Sequence, residues 1–167
     1  MIQDPNLTVN PGIIDIDLSV TQKKKFRFGK DDSRIVEMNT SDMNILQRVN
    51  VAYPKLQDLQ KKAAKLTEGL NDEDDATEAN TIHSIATMAE RLSAVDAEMR
   101  ELLDYIFDAP VSAATAPDGS MYDPFNGSFR YEHIIAILMK QYEDNLQSEF
   151  NKMEKQLKKH TDKYTRR

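Results

Sequence analysis

A chain of 167 residues fits one domain with room for an extended arm, because single cores usually occupy about 100 to 200 residues. With 40% hydrophobic and 30% charged residues, no Trp, 5 Gly and 6 Pro, the composition is helix-rich and excludes collagen-like and low-complexity chains. The lack of Cys excludes disulfides, thiolate nucleophiles and Cys-ligated metals, the 3 His restrict acid–base and metal chemistry, and a net charge of −6 opposes a whole-molecule grip on nucleic acid or an anionic membrane.

Residues 1–12 carry Pro5 and Pro11 without sustained periodicity and read as an extended N-terminal arm. Residues 13–39 read as a small β-sheet. Ile14, Ile16, Leu18 and Val20 alternate with polar residues, and Phe26 and Phe28 lead through a turn set by Gly29 into Ile35–Met38, which gives a hairpin. Lys23, Lys24 and Lys25 lie between the first two strands as a solvated loop or a protected sheet edge.

From residue 40 to 167 the period changes to that of a helical bundle. Thr40 or Ser41 is the expected N-cap, and Ile45, Leu46, Val49, Ala52, Tyr53, Leu56, Leu59, Ala63 and Leu66 mark one apolar face. Pro54 predicts a kink or two helices meeting near Val51–Tyr53. The acidic run Asn71–Asp75 resembles a calcium loop only in charge: counted from Asn71, the glycine and glutamate positions hold Ala76 and Ile82. It reads instead as a solvated helix N-terminus.

Ile82 to Phe107 carries a stripe of three to four heptads that stops at Asp108-Ala109-Pro110. Residues 111–128 read as an irregular loop with turns at Pro117–Ser120 and Asp123–Gly127. Its apolar side chains Met121, Tyr122 and Phe125, with Phe129 after it, must be covered by the domain itself or by a partner, and are the candidate partner-binding residues. A last helix from about Ser128 carries a matching stripe through Leu157, is expected to pair antiparallel with the 82–107 helix, and ends in a basic tail.

The fold class is therefore α+β, mostly α: a short N-terminal antiparallel sheet followed by a bundle of long helices with an antiparallel helix pair. Chemistry is sparse. His83, His133 and His160 have no metal-ligand spacing, and the five glycines are isolated rather than gathered into a phosphate loop. No catalytic residue, cofactor or metal is assigned, no stretch is long enough for a membrane span, and the basic tail on an acidic chain weighs against nucleic acid.

Three segments carry a resemblance: Phe26–Arg34 continuing to Asn39–Ile45, Glu98–Val111, and Pro117–Gly127 with the final helix. They resemble small tail-gene proteins of phages and prophages of Gram-positive bacteria, described as tail assembly chaperones or uncharacterised tail proteins. The resemblance implies a non-catalytic role in tail assembly in the host cytoplasm, with tape-measure or tail-tube proteins as partners and self-association as a further contact. The alternatives are a permanent structural component of the virion and a small phage-encoded regulator or inhibitor of a host protein.

Overall fold

The structure, a computed structural model, describes residues 23–68 and 78–165. The arm at 1–12, the strand expected over 14–20 and the acidic run 71–75 lie outside the described residues. In chain order the elements are β1 (Lys24–Arg27), β2 (Ile35–Met38), α1 (Asn44–Glu68), α2 (Glu78–Phe107), α3 (Val111–Thr115), β3 (Pro124–Phe125), β4 (Ser128–Phe129) and α4 (Arg130–Thr165). The chain is α+β and mostly helical, with a two-stranded antiparallel sheet ahead of the long helices.

The β1–β2 hairpin pairs Lys24 with Met38 and Arg27 with Ile35. Its alternation buries Val36 and Met38 and leaves Ile35 and Glu37 outside, as a strand with one wet face requires. Gly29 and Lys30 both have positive φ, 65° and 58°, a left-handed pair whose twist suits a hairpin. The positive φ favours glycine at 29, and a Cβ there would lie 2.8 Å from Arg34 Nη1, so a larger residue would also displace that guanidinium. Lys24 and Lys25 are strand residues, and Lys25 pairs across the sheet with Glu37 at 3.2 Å.

The cap of α1 is Asp42, not Thr40 or Ser41. Its carboxylate accepts the Asn44 N–H at 2.9 Å and the Arg48 guanidinium at 2.9 Å, while Thr40 is buried. Burial alone would raise the Asp42 pKa, but the Asn44 amide and Arg48 outweigh it and hold the carboxyl below its ordinary value. Arg48 also donates to the Ile106 carbonyl at 2.8 Å, which ties the start of α1 to the end of α2.

Pro54 lies inside one continuous α1 rather than between two helices. The buried Ala52 and Leu59 hold the turns on both sides of it against the core. The carbonyl four residues earlier, left without its donor, belongs to the exposed Asn50 and is free to meet water.

Leu46 and Tyr53 of the expected apolar face are exposed, whereas Ile45, Ala52 and Leu59 recur every seven residues with Val49 and Leu56 between them and Ala63 after them, all buried or half-buried. They meet Leu92, Val95, Met99, Leu102 and Ile106, spaced by three and four, in a heptad seam. Lys62 reaches Glu98 at 3.6 Å while Arg48 reaches Ile106, so the antiparallel pair is α1 with α2.

This corrects the pairing of the 82–107 helix with the last helix. Gln60 bonds to the Tyr131 hydroxyl and Asn145 to Ser41, so α4 also runs against α1 and therefore in the direction of α2. The two stripes were compatible with either sense, and the short path from α1 to α2 decides in favour of neighbours in sequence.

At the end of α2, Asp108 sits at φ 49°. Its N–H meets the Tyr105 carbonyl and the Ala109 N–H meets the Asp104 carbonyl, which closes the helix in the left-handed manner usually served by glycine. An L side chain costs free energy there, and a carboxylate beside the carbonyl end of a helix adds to that cost. Asp108→Gly is expected to stabilise the fold by about 1 kcal/mol, read as a higher urea midpoint at unchanged slope.

Candidate partner-binding site

The 111–128 segment is more ordered than an irregular loop. It contains the short helix α3 and a hairpin whose strands β3 and β4 are joined by Asn126 and Gly127, at φ 46° and 85°. That is the two-residue Asn-Gly turn favoured between antiparallel strands.

A polar ladder on α2 holds this segment. Asp96, Arg100 and Asp104 are spaced by four and share a helix face. Asp104 accepts the N–H and hydroxyl of Ser112 at 2.7 and 2.8 Å. Arg100 pairs with Asp96 at 2.7 Å and donates to the Ala116 carbonyl at 3.0 Å and to the Gly119 carbonyl. Asp96 also accepts the Ser120 hydroxyl and the Met121 N–H at 2.8 and 2.5 Å.

From the other side, Arg34 donates to the Ala114 and Thr115 carbonyls at 2.6 and 3.0 Å. Acids thus take the segment's free donors and arginines its free carbonyls, which is what an exposed turn of backbone needs when it is laid on a core. Asp96, Arg100 and Asp104 lie off the apolar stripe that runs from Ile82 to Phe107. Their spacing of four, opposite a long connection, was the signal for this role.

The four candidate partner-binding residues divide. Met121 and Tyr122 are 0% and 5% exposed and belong to the core. Phe129 is half-buried and stacks on Tyr131 with centroids 6.0 Å apart, while Tyr122 meets both rings edge-on. Of the four only Phe125 is exposed, at 48%, with its ring set edge-on against His133. The register separates them: Tyr122 precedes the tight hairpin, and Phe125 sits at its tip.

Burial pushes the Tyr122 phenol well above its ordinary pKa, and its hydroxyl is buried without a hydrogen-bond partner. Removing an unsatisfied buried hydroxyl while keeping the ring lifts a desolvation penalty. Tyr122→Phe is expected to raise stability by about 1 kcal/mol, measured as an increase in thermal midpoint.

Phe125 forms one wall of a cleft of about 450 Å³ between the β1–β2 turn, the end of α3 and the first turns of α4. Ile134, Ile137 and Leu138 line its α4 side, and Phe28, Arg34 and Thr115 its opposite side. Ile137 is 59% exposed, so the cleft opens between two outward apolar side chains, Phe125 and Ile137. Two arginines line it: Arg130 pairs with Asp123 at 3.1 Å, while Arg34 is fixed by backbone carbonyls and belongs to none of the ion pairs among the described residues.

One arrangement near the cleft resembles a nucleophile with its base: Ser128 Oγ lies 2.9 Å from His133 Nε2. The same nitrogen lies 2.7 Å from the Phe125 carbonyl. A carbonyl oxygen only accepts, so Nε2 carries the proton and cannot take one from Ser128. The pair therefore braces the hairpin against α4. Among the described residues no group of three or more His, Asp or Glu is placed to hold a metal, and no helix is long and apolar enough to cross a membrane.

Comparison with known protein families, with characterised proteins and with solved structures finds no match to this chain.

Proposed function

We propose that this chain is a non-catalytic protein of phage tail assembly, a chaperone that seats an apolar helix of a tape-measure or tail-tube protein in the cleft beside Phe125. The phage assignment rests on the resemblance of Phe26–Ile45, Glu98–Val111 and Pro117–Gly127. The observation that carries the binding role is the apolar cleft opening between Phe125 and Ile137. Its walls are braced by Arg34, Arg100 and Asp96, so little ordering free energy is lost on binding. An amphipathic helix places side chains at intervals of three and four into such a groove, and the acidic surface keeps the complex dispersed.

Co-expression with the tape-measure protein of the same phage tests this. The reading expects a larger soluble fraction of that protein with the wild-type chain and no gain with Phe125→Asp plus Ile137→Asp. Both residues are exposed, so their replacement leaves the fold intact. Equal solubility with and without the wild-type chain contradicts the proposal, and fixed stoichiometry in purified virions would favour a permanent structural part.

A further inference from the structure

Among the described residues, nothing covers the apolar stripe on α4 beyond Phe150. The helix is 36 residues long, about 54 Å, and its buried face ends at Tyr142. Because Asn145 lies against Ser41, just before α1 begins, the rest of α4 projects past the end of the bundle. The apolar stripe continues there through Leu146, Phe150, Met153 and Leu157, the last three 51%, 55% and 65% exposed.

We infer that this segment pairs antiparallel with the same segment of a second copy of the chain. The stripe has separations of four, three and four residues, so it reads the same from both ends. Antiparallel alignment sets Leu146 opposite Leu157 and Phe150 opposite Met153 in both halves of a two-fold interface.

The charges choose the same partner and the same sense. Glu143, Asp144 and Glu149 give residues 143–149 a charge of −3, and four lysines less Glu154 give residues 152–159 a charge of +3. An antiparallel copy brings each half beside its opposite, whereas a parallel copy brings like beside like. The apolar surface is also continuous with a groove between α1 and α4 lined by Leu46, Met139, Tyr142, Leu146 and Phe150 with Glu143 at its rim. Leu157 and the basic turns of the second copy fit that groove in hydrophobicity and in charge. The interface lies apart from the cleft at Phe125 and stands whether or not that cleft binds a helix.

Sedimentation equilibrium of the full chain, with crossed cysteines, tests the inference. The wild-type chain is expected to be a dimer at about 10 μM, and Phe150→Glu with Met153→Glu to weaken association by about 30-fold or more, with unchanged helical circular dichroism because both side chains are exposed in the monomer. Since the chain has no Cys, a mixture of Leu146→Cys and Leu157→Cys chains is expected to form the crossed disulfide while neither forms one alone. A wild-type monomer at 100 μM, a dimer indifferent to the double Glu variant, or a Leu146→Cys chain that links to itself each overturns the inference.

Discussion

Asp96→Ala is expected to lower stability by about 3 kcal/mol, since breaking a largely buried ion pair leaves its partner charge uncompensated. For a chain of this size that corresponds to a thermal midpoint about 6 to 12 °C lower. Three groups lose their acceptor at once: the Arg100 guanidinium, the Ser120 hydroxyl and the Met121 N–H. The Asp96 and Arg100 side chains keep 15% and 25% of their exposure, so water recovers part of the loss and the effect falls at the lower end of the range for buried pairs. Asp96→Asn keeps an acceptor for Ser120 and Met121 and is expected to cost less than the alanine variant. Because α3 and Thr115 form a wall of the cleft, loosening their support should weaken partner binding as well, with the α1–α2 pair still helical.

Phe107→Ala is expected to cost about 3 to 5 kcal/mol, the range for emptying a large aromatic site in a packed core. Phe107 is 1% exposed and meets Tyr142 with ring centroids 6.1 Å apart. It occupies the last turn of α2, where Arg48 from α1 also attaches, so the void would open where α1, α2 and α4 come together. Phe107→Leu fills more of that space and is expected to cost clearly less. Urea unfolding of the two variants measures the difference directly.

The first hairpin and the long helices were legible because each has a period that sterics impose, whereas α3, β3 and β4 are too short to show one. Val36 and Met38 alternate with Ile35 and Glu37, the heptads of α1 and α2 run uninterrupted, and Asn126-Gly127 names its turn. The α2–α4 pairing was misread because an apolar stripe shows that a helix is covered, not by which helix or in which sense. The α1 cap was misplaced because Asn39, Thr40, Ser41 and Asp42 all have capping chemistry, and only the position of Arg48 selects Asp42.

In the candidate site, composition flagged Met121, Tyr122, Phe125 and Phe129 together, yet a tight hairpin turns Phe125 outward and leaves Met121 and Tyr122 in the core. Charged residues off an apolar stripe are usually solvated, so the ladder of Asp96, Arg100 and Asp104 is inconspicuous in the sequence. Its work is on backbone groups, so its spacing of four is the one mark it leaves in the sequence. The cleft joins Phe28, Arg34, Thr115, Phe125 and Ile137, residues far apart in the chain, and only the folded arrangement brings them together.

The central claim is that this cleft receives an apolar helix. Calorimetric titration of the purified chain with an amphipathic helical peptide from the tape-measure protein proposed as its partner tests it most directly. The account predicts saturable one-to-one binding with a negative heat-capacity change, weakened about 30-fold by Ile137→Asp and unaffected by Phe150→Glu. The absence of saturable binding, or equal affinity in wild-type and Ile137→Asp chains, would contradict it.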